Sequence, residues 1–449
     1  MSDPDLTAAR DLIAAGRFDA ALKHLTTLTT PSPRRDLLLG AAHTGRRDHA
    51  RALPHLRRAV EDLPGDPEAL FHLANVHLLA SDAGRAIALF ETVAASTPCF
   101  PGIREALVSA YRRDARYPGA IRLADMALAD GHASDDLLYE KALCHLHLGE
   151  AEAALTSYDA LLAGNPDHAA AWCGSHAPAL HLTGLEDALR RLHNAVSCAG
   201  ANGKYWAYLW VYNRLDGRLD AARAILDDKL AKHPKRRPLA DSVSTLLDAL
   251  SPEVALFGIS AFLLHHALAQ ATVRGLVLEF GVRRGTSINQ IAAEAGQTVH
   301  GFDSFEGLPE AWGSEPQGIL TTGRELPSVR DNVTLHPGWF EDTLPAFLTT
   351  HPEPVRFVNI DSDIYSSACT VLTALAGRIR PGTVLVFDEY IGNRTWAQDE
   401  YKAFQEYVQA YGVRYEVIAL APYTKQVAMR ITGIGQDQPL RQCSASSRA

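Results

Sequence analysis

Six alanines stand at steps of 34 residues: Ala52, Ala86, Ala120, Ala154, Ala188 and Ala222. Two further columns keep the same step, Leu56, Phe90, Tyr158, Leu192 and Leu226 in one and Pro64, Pro98, Pro166 and Pro234 in the other. A fixed period of this kind restricts the first half of the chain to stacked copies of one supersecondary unit, each burying its apolar face on the next. A further unit, "GRFDAALKHL" with Ala21, precedes them three residues out of phase.

The columns have a physical cause. Small Ala, and Gly40 or Ala74 in the preceding helix, let two antiparallel helices approach closely; a large apolar residue four positions later fills the gap, and the proline ends the second helix. The pattern resembles tetratricopeptide repeats, about seven over residues 2–237, and an all-α superhelix is expected for 1–238. The resemblance implies a concave surface that binds a peptide or partner protein, or an arm for a homodimer. Tyr111, Tyr205, Trp206, Tyr208, Trp210 and Tyr212 either line such a groove or pack the hairpins.

At 449 residues the chain exceeds a single ordinary core. Its formal charge of −9, from 43 Lys plus Arg against 52 Asp plus Glu, argues against a nucleic-acid scaffold. The six cysteines are scattered without a C-x-x-C pair, so neither a zinc site nor a disulfide framework is signalled. The opening "MSDPDLTAARDL" lacks the apolar core of a secretory signal, and no apolar run has the length of a membrane span. A cytoplasmic protein with no membrane partner is expected.

From residue 271 the texture changes. Apolar β-type runs at 275–280, 298–302, 332–336, 355–360 and 383–388 alternate with helical stretches near 286–295, 341–350, 366–378 and 397–411. That alternation predicts an α/β doubly wound, Rossmann-like domain over 271–435, with ligands at the carboxyl ends of its strands. "YEVIAL" and "KQVAMRI" predict a hairpin at the sheet edge, residues 239–270 predict linking helices, and 436–449 predicts a disordered tail.

The first strand runs into "EFGVRRGTS", with Glu279, Gly281 and Gly285. Glycines at this turn admit a ligand to the backbone, and the next helix presents free N–H groups. The second strand ends in Asp303, 24 residues after Glu279, placed either to accept both hydroxyls of a ribose or to form an Asx-turn. Arg283 and Arg284 occupy the place of the glycine that admits a pyrophosphate, so a ligand without phosphates fits this turn better.

Taken in order, "EFGVRRGTS", "HGFDSFEGLPE", "GWFEDTLPAFL", "IDSDIYSS", "PGTVLVFDEY" and "EYKAFQEY" resemble the class I S-adenosylmethionine-dependent methyltransferases of the macrocin O-methyltransferase group, over about residues 270–432. The resemblance implies S-adenosylmethionine as cofactor. It implies Glu279, Gly281 and Gly285 around the methionine part, Asp303 at the ribose, and Gly338, Trp339 and Phe340 near the adenine, with Thr286, Ser287 and Ser304 also among the cofactor-binding residues. For Trp339 a role as a cap on the core stands beside this one.

Asp361 and Asp363 close one strand, and Asp388 and Glu389 close the next. Carboxylates so crowded raise one another's pKa unless a cation lies among them, and hard oxygen donors suit Mg²⁺. The resemblance implies Asp361, Asp388 and Glu389 as metal ligands; a nearby carboxylate, Asp361 before Asp363, is the candidate for accepting the substrate's proton. The lysine that serves as base in catechol-type relatives is replaced by Ile364, leaving the general base open. Asp363 reads as a helix cap or a contact behind the metal ligands, His300 and His336 as structural, and Arg394 and Trp396 as candidate substrate contacts.

The expected activity is therefore Mg²⁺-assisted O-methylation of a small-molecule or carrier-linked hydroxyl, a diol of a sugar or natural product. Methylation of a protein or peptide docked by the repeats, and a repeat scaffold with a non-catalytic methyltransferase domain, are the alternatives.

Overall fold

The computed structural model describes residues 4–28, 30–313 and 315–435. The tail expected at 436–449 lies outside the described residues.

Helices follow one another in packed pairs. They are Pro4–Ala14 with Phe18–Thr27, Pro33–Gly45 with His49–Asp62, Pro67–Leu79 with Ala83–Ser96, and Ile103–Arg113 with Tyr117–Ala129; after the helices Asp135–Leu148 and Ala151–Gly164 come the pairs Ala169–Leu182 with Leu185–Ser197, and Tyr205–Leu215 with Leu219–Ile225. Every alanine of the 34-residue column sits at the start of a second helix and is at most 1% exposed. The small residues are required by contact: a Cβ on Gly40 would collide with the Leu56 side chain, and one on Gly174 with the Tyr158 ring. Asp48, Asp66 and Asp82 cap helix starts by accepting the N–H of Arg51, Ala69 and Arg85 at 3.2, 2.9 and 3.2 Å.

The chain divides into two compact units, one holding residues up to Lys141 together with Leu308–Leu320, the other Ala142–Gly307 and the residues from Thr321 on. In the first, the 308–320 segment is held by Ser81, whose Oγ donates to Glu315 at 2.7 Å.

The second unit contains an eight-stranded sheet. Its strands are β1 Leu250–Leu256, β2 Leu276–Phe280, β3 Val299–Asp303, β4 Val333–Pro337, β5 Val355–Ile360, β6 Val384–Phe387, β7 Arg414–Ala421 and β8 Gln426–Gly433, in spatial order β1-β7-β8-β6-β5-β2-β3-β4. All neighbours are parallel except β8, which runs antiparallel to β6 and β7. From β2 the chain winds outward to β3 and β4, then returns to β5 on the other side, so the switch point lies between β2 and β5.

Alternate strand residues face opposite ways. Val277, Val299, Phe357, Val384 and Val386 pack on the helices Ser260–Ala269 and Thr286–Ala295. Leu278, Phe280, Phe302, Ile360 and Phe387 share a second cluster with the helices Phe340–Thr350, Tyr365–Leu375 and Glu400–Tyr411, and that cluster continues into Trp210 and Tyr212 of the last repeat and Leu239 just beyond it.

Two expectations need correction. Residues 239–270 hold not only helices (Pro238–Ser244 and Ser260–Ala269) but also β1. With Pro252 and Glu253 in "LSPEVAL" and none of its seven residues fully buried, β1 has the make-up of an edge strand and gives no alternating signal. Because β1 pairs outside β7, the β7–β8 hairpin is not the sheet edge.

Candidate functional site

The carboxyl ends of four neighbouring strands, β6, β5, β2 and β3, carry Asp388, Asp361, Glu279 with Gly281, and Asp303. The order of residues in sequence does not place them side by side; the return of the chain to β5 does.

Glu279 is fully buried, accepts the Ser287 Oγ hydrogen at 2.8 Å and lies 3.5 Å from Asn359 Nδ2. Burial pushes its carboxyl up to about 8 against those two hydrogen bonds, with Asp388 and Asp303 adding repulsion. Gly281 has φ +95°, and a Cβ there would meet the Asp361 carbonyl oxygen, so only glycine fits. Gly285, also left-handed at φ +79°, precedes the helix that begins Thr286, Ser287.

Asp303 accepts the Arg283 N–H at 2.7 Å and the Phe305 N–H at 2.6 Å, one on each oxygen. The second bond is an Asx-turn, so the structural role foreseen for Asp303 is present; Val282 is a further backbone donor, and the carboxylate's four acceptor sites are not all taken. Burial raises its carboxyl while the backbone donors, led by Arg283, lower it. Ser304 Oγ accepts the Glu306 N–H at 3.1 Å in the same turn. The Gly338 N–H donates to the Asp303 carbonyl at 2.9 Å, Trp339 precedes the helix Phe340–Thr350, and Phe340 meets Phe280 edge-on at 5.3 Å. A backbone without Cβ at Gly281, a helix start beyond Gly285 and acids at Glu279 and Asp303 together fit the methionine and ribose parts of S-adenosylmethionine.

The acids of the next two strand ends crowd one another. Asp361 is pushed well above the carboxylate range by burial and by Asp388 and Asp363; Asp363 rises to about 8 through burial and Glu389, and Asp388 to about 7 through burial and Glu389. Asp388 accepts from Gln426 Nε2, while both Glu389 oxygens face Lys425 Nζ at 2.8 and 3.1 Å and one also accepts from Asn393. Among the described residues no three His, Cys, Asp or Glu side chains are arranged to hold a metal ion. The set is nonetheless all hard oxygen, so Asp361 and Asp388 fit a hard dication in kind, with Glu389 already neutralised by lysine.

Asp363 does not cap the following helix: Ile364 occupies that position and no side chain caps it. His300 and His336 contact one another at 3.2 Å and lie among the rings of Phe302 and Phe347. Three residues were given no role by sequence reasoning. Glu400, fully buried, accepts the Ser362 N–H at 3.2 Å and the Glu389 N–H at 3.3 Å and so ties together the loops after β5 and β6. Lys425 and Gln426 reach Glu389 and Asp388 from the β7–β8 turn.

A doubly wound sheet bearing acids and an open glycine turn at its switch point defines a ligand-binding α/β domain, and this one has a counterpart among known families. Residues 278–390 match the family described as "Methyltransferase domain", and residues 37–98 and 105–172 match "Tetratricopeptide repeat"; the chain carries a methyltransferase domain joined to such repeats. It is 30% identical over 143 residues to an 8-demethyl-8-(2,3-dimethoxy-alpha-L-rhamnosyl)-tetracenomycin-C 4'-O-methyltransferase of Streptomyces olivaceus, covering 26% of this chain and 54% of that protein. It is 29% identical over 145 residues to a mycinamicin III 3''-O-methyltransferase of Micromonospora griseorubida, covering 26% and 56%. The chain thus spans about half the length of the curated relatives it matches. Among solved structures, the calicheamicin methyltransferase CalS11 is similar at 17% identity with a TM-score of 0.31, covering 54% of this chain and 90% of that one. Among the described residues no helix is long and apolar enough to cross a membrane.

Proposed function

We propose that the chain is an S-adenosylmethionine-dependent O-methyltransferase whose acceptor is a hydroxyl of a sugar or sugar-bearing natural product, a vicinal diol, with Mg²⁺ assisting. The observation that carries the reading is the meeting of Glu279, Gly281, Asp303 and Asp361 at adjoining strand ends on the switch point. The sugar O-methyltransferases it resembles over the same domain support the acceptor class.

Bound S-adenosylmethionine supplies an electrophilic sulfonium methyl, and bound Mg²⁺ supplies positive charge that makes an acceptor hydroxyl more acidic. Glu279, held by Ser287, takes the ammonium of the methionine part. Asp303 turns its remaining acceptor capacity to the ribose, with Ser304 in the same turn and Gly338, Trp339 and Phe340 at the adenine end. Asp361 and Asp388 would hold the cation. The Asp361 carboxylate, kept ionised by a neighbouring positive charge, accepts the hydroxyl proton. Glu400 keeps the two loops that carry these acids in register. Charge is lost as oxygen approaches sulfonium, so exclusion of water favours the reaction. The repeats dock the acceptor's carrier, a protein partner or a second copy.

The test is transfer of labelled methyl from S-adenosylmethionine to diol-bearing glycosides, with and without EDTA, by wild type and Asp361→Asn. Metal-dependent transfer lost in the variant is expected. Transfer to peptides alone, unaffected by EDTA, would replace this reading with a protein methyltransferase.

A further inference from the structure

Within the second unit, a cavity of about 470 Å³ lies between the last repeat and the loops that follow β6 and β7. Its charged lining is Lys204, Lys235, Arg236, Arg394 and Lys425, with no acidic residue. In a chain of net charge −9 such a lining is a local reversal of sign. Lys204, Lys235, Arg236 and Arg394 form no ion pair with any described residue; Lys425 is held by Glu389. The walls are fixed. The Gly392 N–H donates to Ser242 Oγ at 3.1 Å, and the Tyr423 ring packs 5.8 Å from Tyr208 and 5.2 Å from His176.

One lining residue links the cavity to the loop that carries Asp388 and Glu389. Lys425 lines it and touches Glu389, the neighbour of Asp388; Arg394 stands five residues beyond Glu389 on the same loop. A group bound by Lys425 in the cavity would therefore lie beside Glu389, next in sequence to Asp388.

We infer that the acceptor is anionic, a sugar phosphate or sugar diphosphate, with its phosphate in this cavity and its sugar hydroxyls toward Asp361 and Asp388. The inference rests on the O-methyltransferase reading and narrows its substrate. A phosphate monoester carries about −1.5 to −2 charges near neutral pH, and clustered Lys and Arg are the side chains that recognise it. The volume falls in the range of roughly 300–1,000 Å³ that small ligands occupy. Lys204, Lys235 and Arg394 are exposed and Arg236 is half-buried, so all four can turn toward an anion that enters from solvent. The turn after β2, where arginines replace the pyrophosphate glycine, belongs to the cofactor; the phosphate-binding lining is on the acceptor side.

The experiment is calorimetric titration of inorganic pyrophosphate into the full chain, beside titration of S-adenosylmethionine, for wild type and for Lys204→Gln/Arg394→Gln. Saturable pyrophosphate binding, at least tenfold weaker in the double variant with S-adenosylmethionine affinity unchanged, is expected. Lys235→Gln, an exposed position, is the second variant and should weaken binding severalfold. No saturable pyrophosphate binding, or binding indifferent to these changes, in a chain that takes up S-adenosylmethionine overturns the inference and leaves the methyltransferase reading in place. Pyrophosphate binding by a chain that takes up no S-adenosylmethionine overturns that reading and the acceptor role with it.

Discussion

Lys425 Nζ lies 2.8 and 3.1 Å from the two carboxylate oxygens of Glu389, joining the β7–β8 turn to the loop after β6. The lysine supplies in place the positive charge that an acidic cluster otherwise draws from solution. Its removal should therefore favour an added cation. Lys425→Met is expected to tighten Mg²⁺ binding by roughly tenfold, a modest share of the interaction between two charges this close near a protein surface. Calorimetric titration of Mg²⁺ checks it, and weaker binding in the variant would show that the lysine supports the cation site.

Glu279 makes a prediction about pH. Its carboxyl is pushed up to about 8 in the fold from an ordinary 4.5, chiefly by burial. Between those values the folded protein binds the proton more tightly than the unfolded chain, so this residue lowers stability progressively as pH rises from about 4.5 to about 8. Glu279→Gln removes that dependence. Its melting temperature should exceed wild type's by a margin that grows over this window, while its affinity for S-adenosylmethionine falls. Parallel melting curves of the two proteins against pH, with equal margins throughout, would contradict the assignment.

Gly281→Ala places a Cβ against the Asp361 carbonyl oxygen in a left-handed backbone conformation. Strain of this kind costs on the order of 1–3 kcal/mol before the collision is counted. The expected result is a lower denaturant midpoint together with loss of S-adenosylmethionine binding, both read on the same preparation. Wild-type binding in a destabilised variant would remove the turn from the cofactor site.

In the repeats, Gly40 and Leu56 should prove coupled. Leu56→Ala is expected to cost about 2–5 kcal/mol through the cavity it leaves, and Gly40→Ala to destabilise because its new methyl meets the Leu56 side chain. In the double variant the collision is gone, so the combined loss should fall short of the sum of the single losses by at least about 0.5 kcal/mol. Urea titration of all four proteins closes the cycle, and additive losses would deny the contact.

What could be read in the sequence was whatever repeats or alternates along it. Ala52 to Ala222 announce the helix pairs because each copy meets the same neighbour. The strands carrying Glu279, Asp303, Asp361 and Asp388 were legible because a buried parallel strand is an apolar run that ends in polar residues. β1 was not, since its proline and acid suit a half-covered edge and imitate a loop. Glu400, Lys425 and Gln426 carry no local signal. Glu400 comes from a helix to bind backbone N–H groups 38 and 11 residues away, and Lys425 crosses 36 residues to Glu389, so only the folded sheet shows what they hold. The same holds for the basic cavity, whose cations arise from the last repeat and from two loops.

The central claim is that the glycine turn and the acids at the ends of β2 and β3 form a binding site for S-adenosylmethionine. Calorimetric titration of that cofactor into the full chain, with Asp303→Asn alongside, tests it most directly. The account predicts saturable one-site binding to wild type and at least tenfold weaker binding to a variant that still melts cooperatively. No saturable binding to wild type, or equal binding to both proteins, would contradict it.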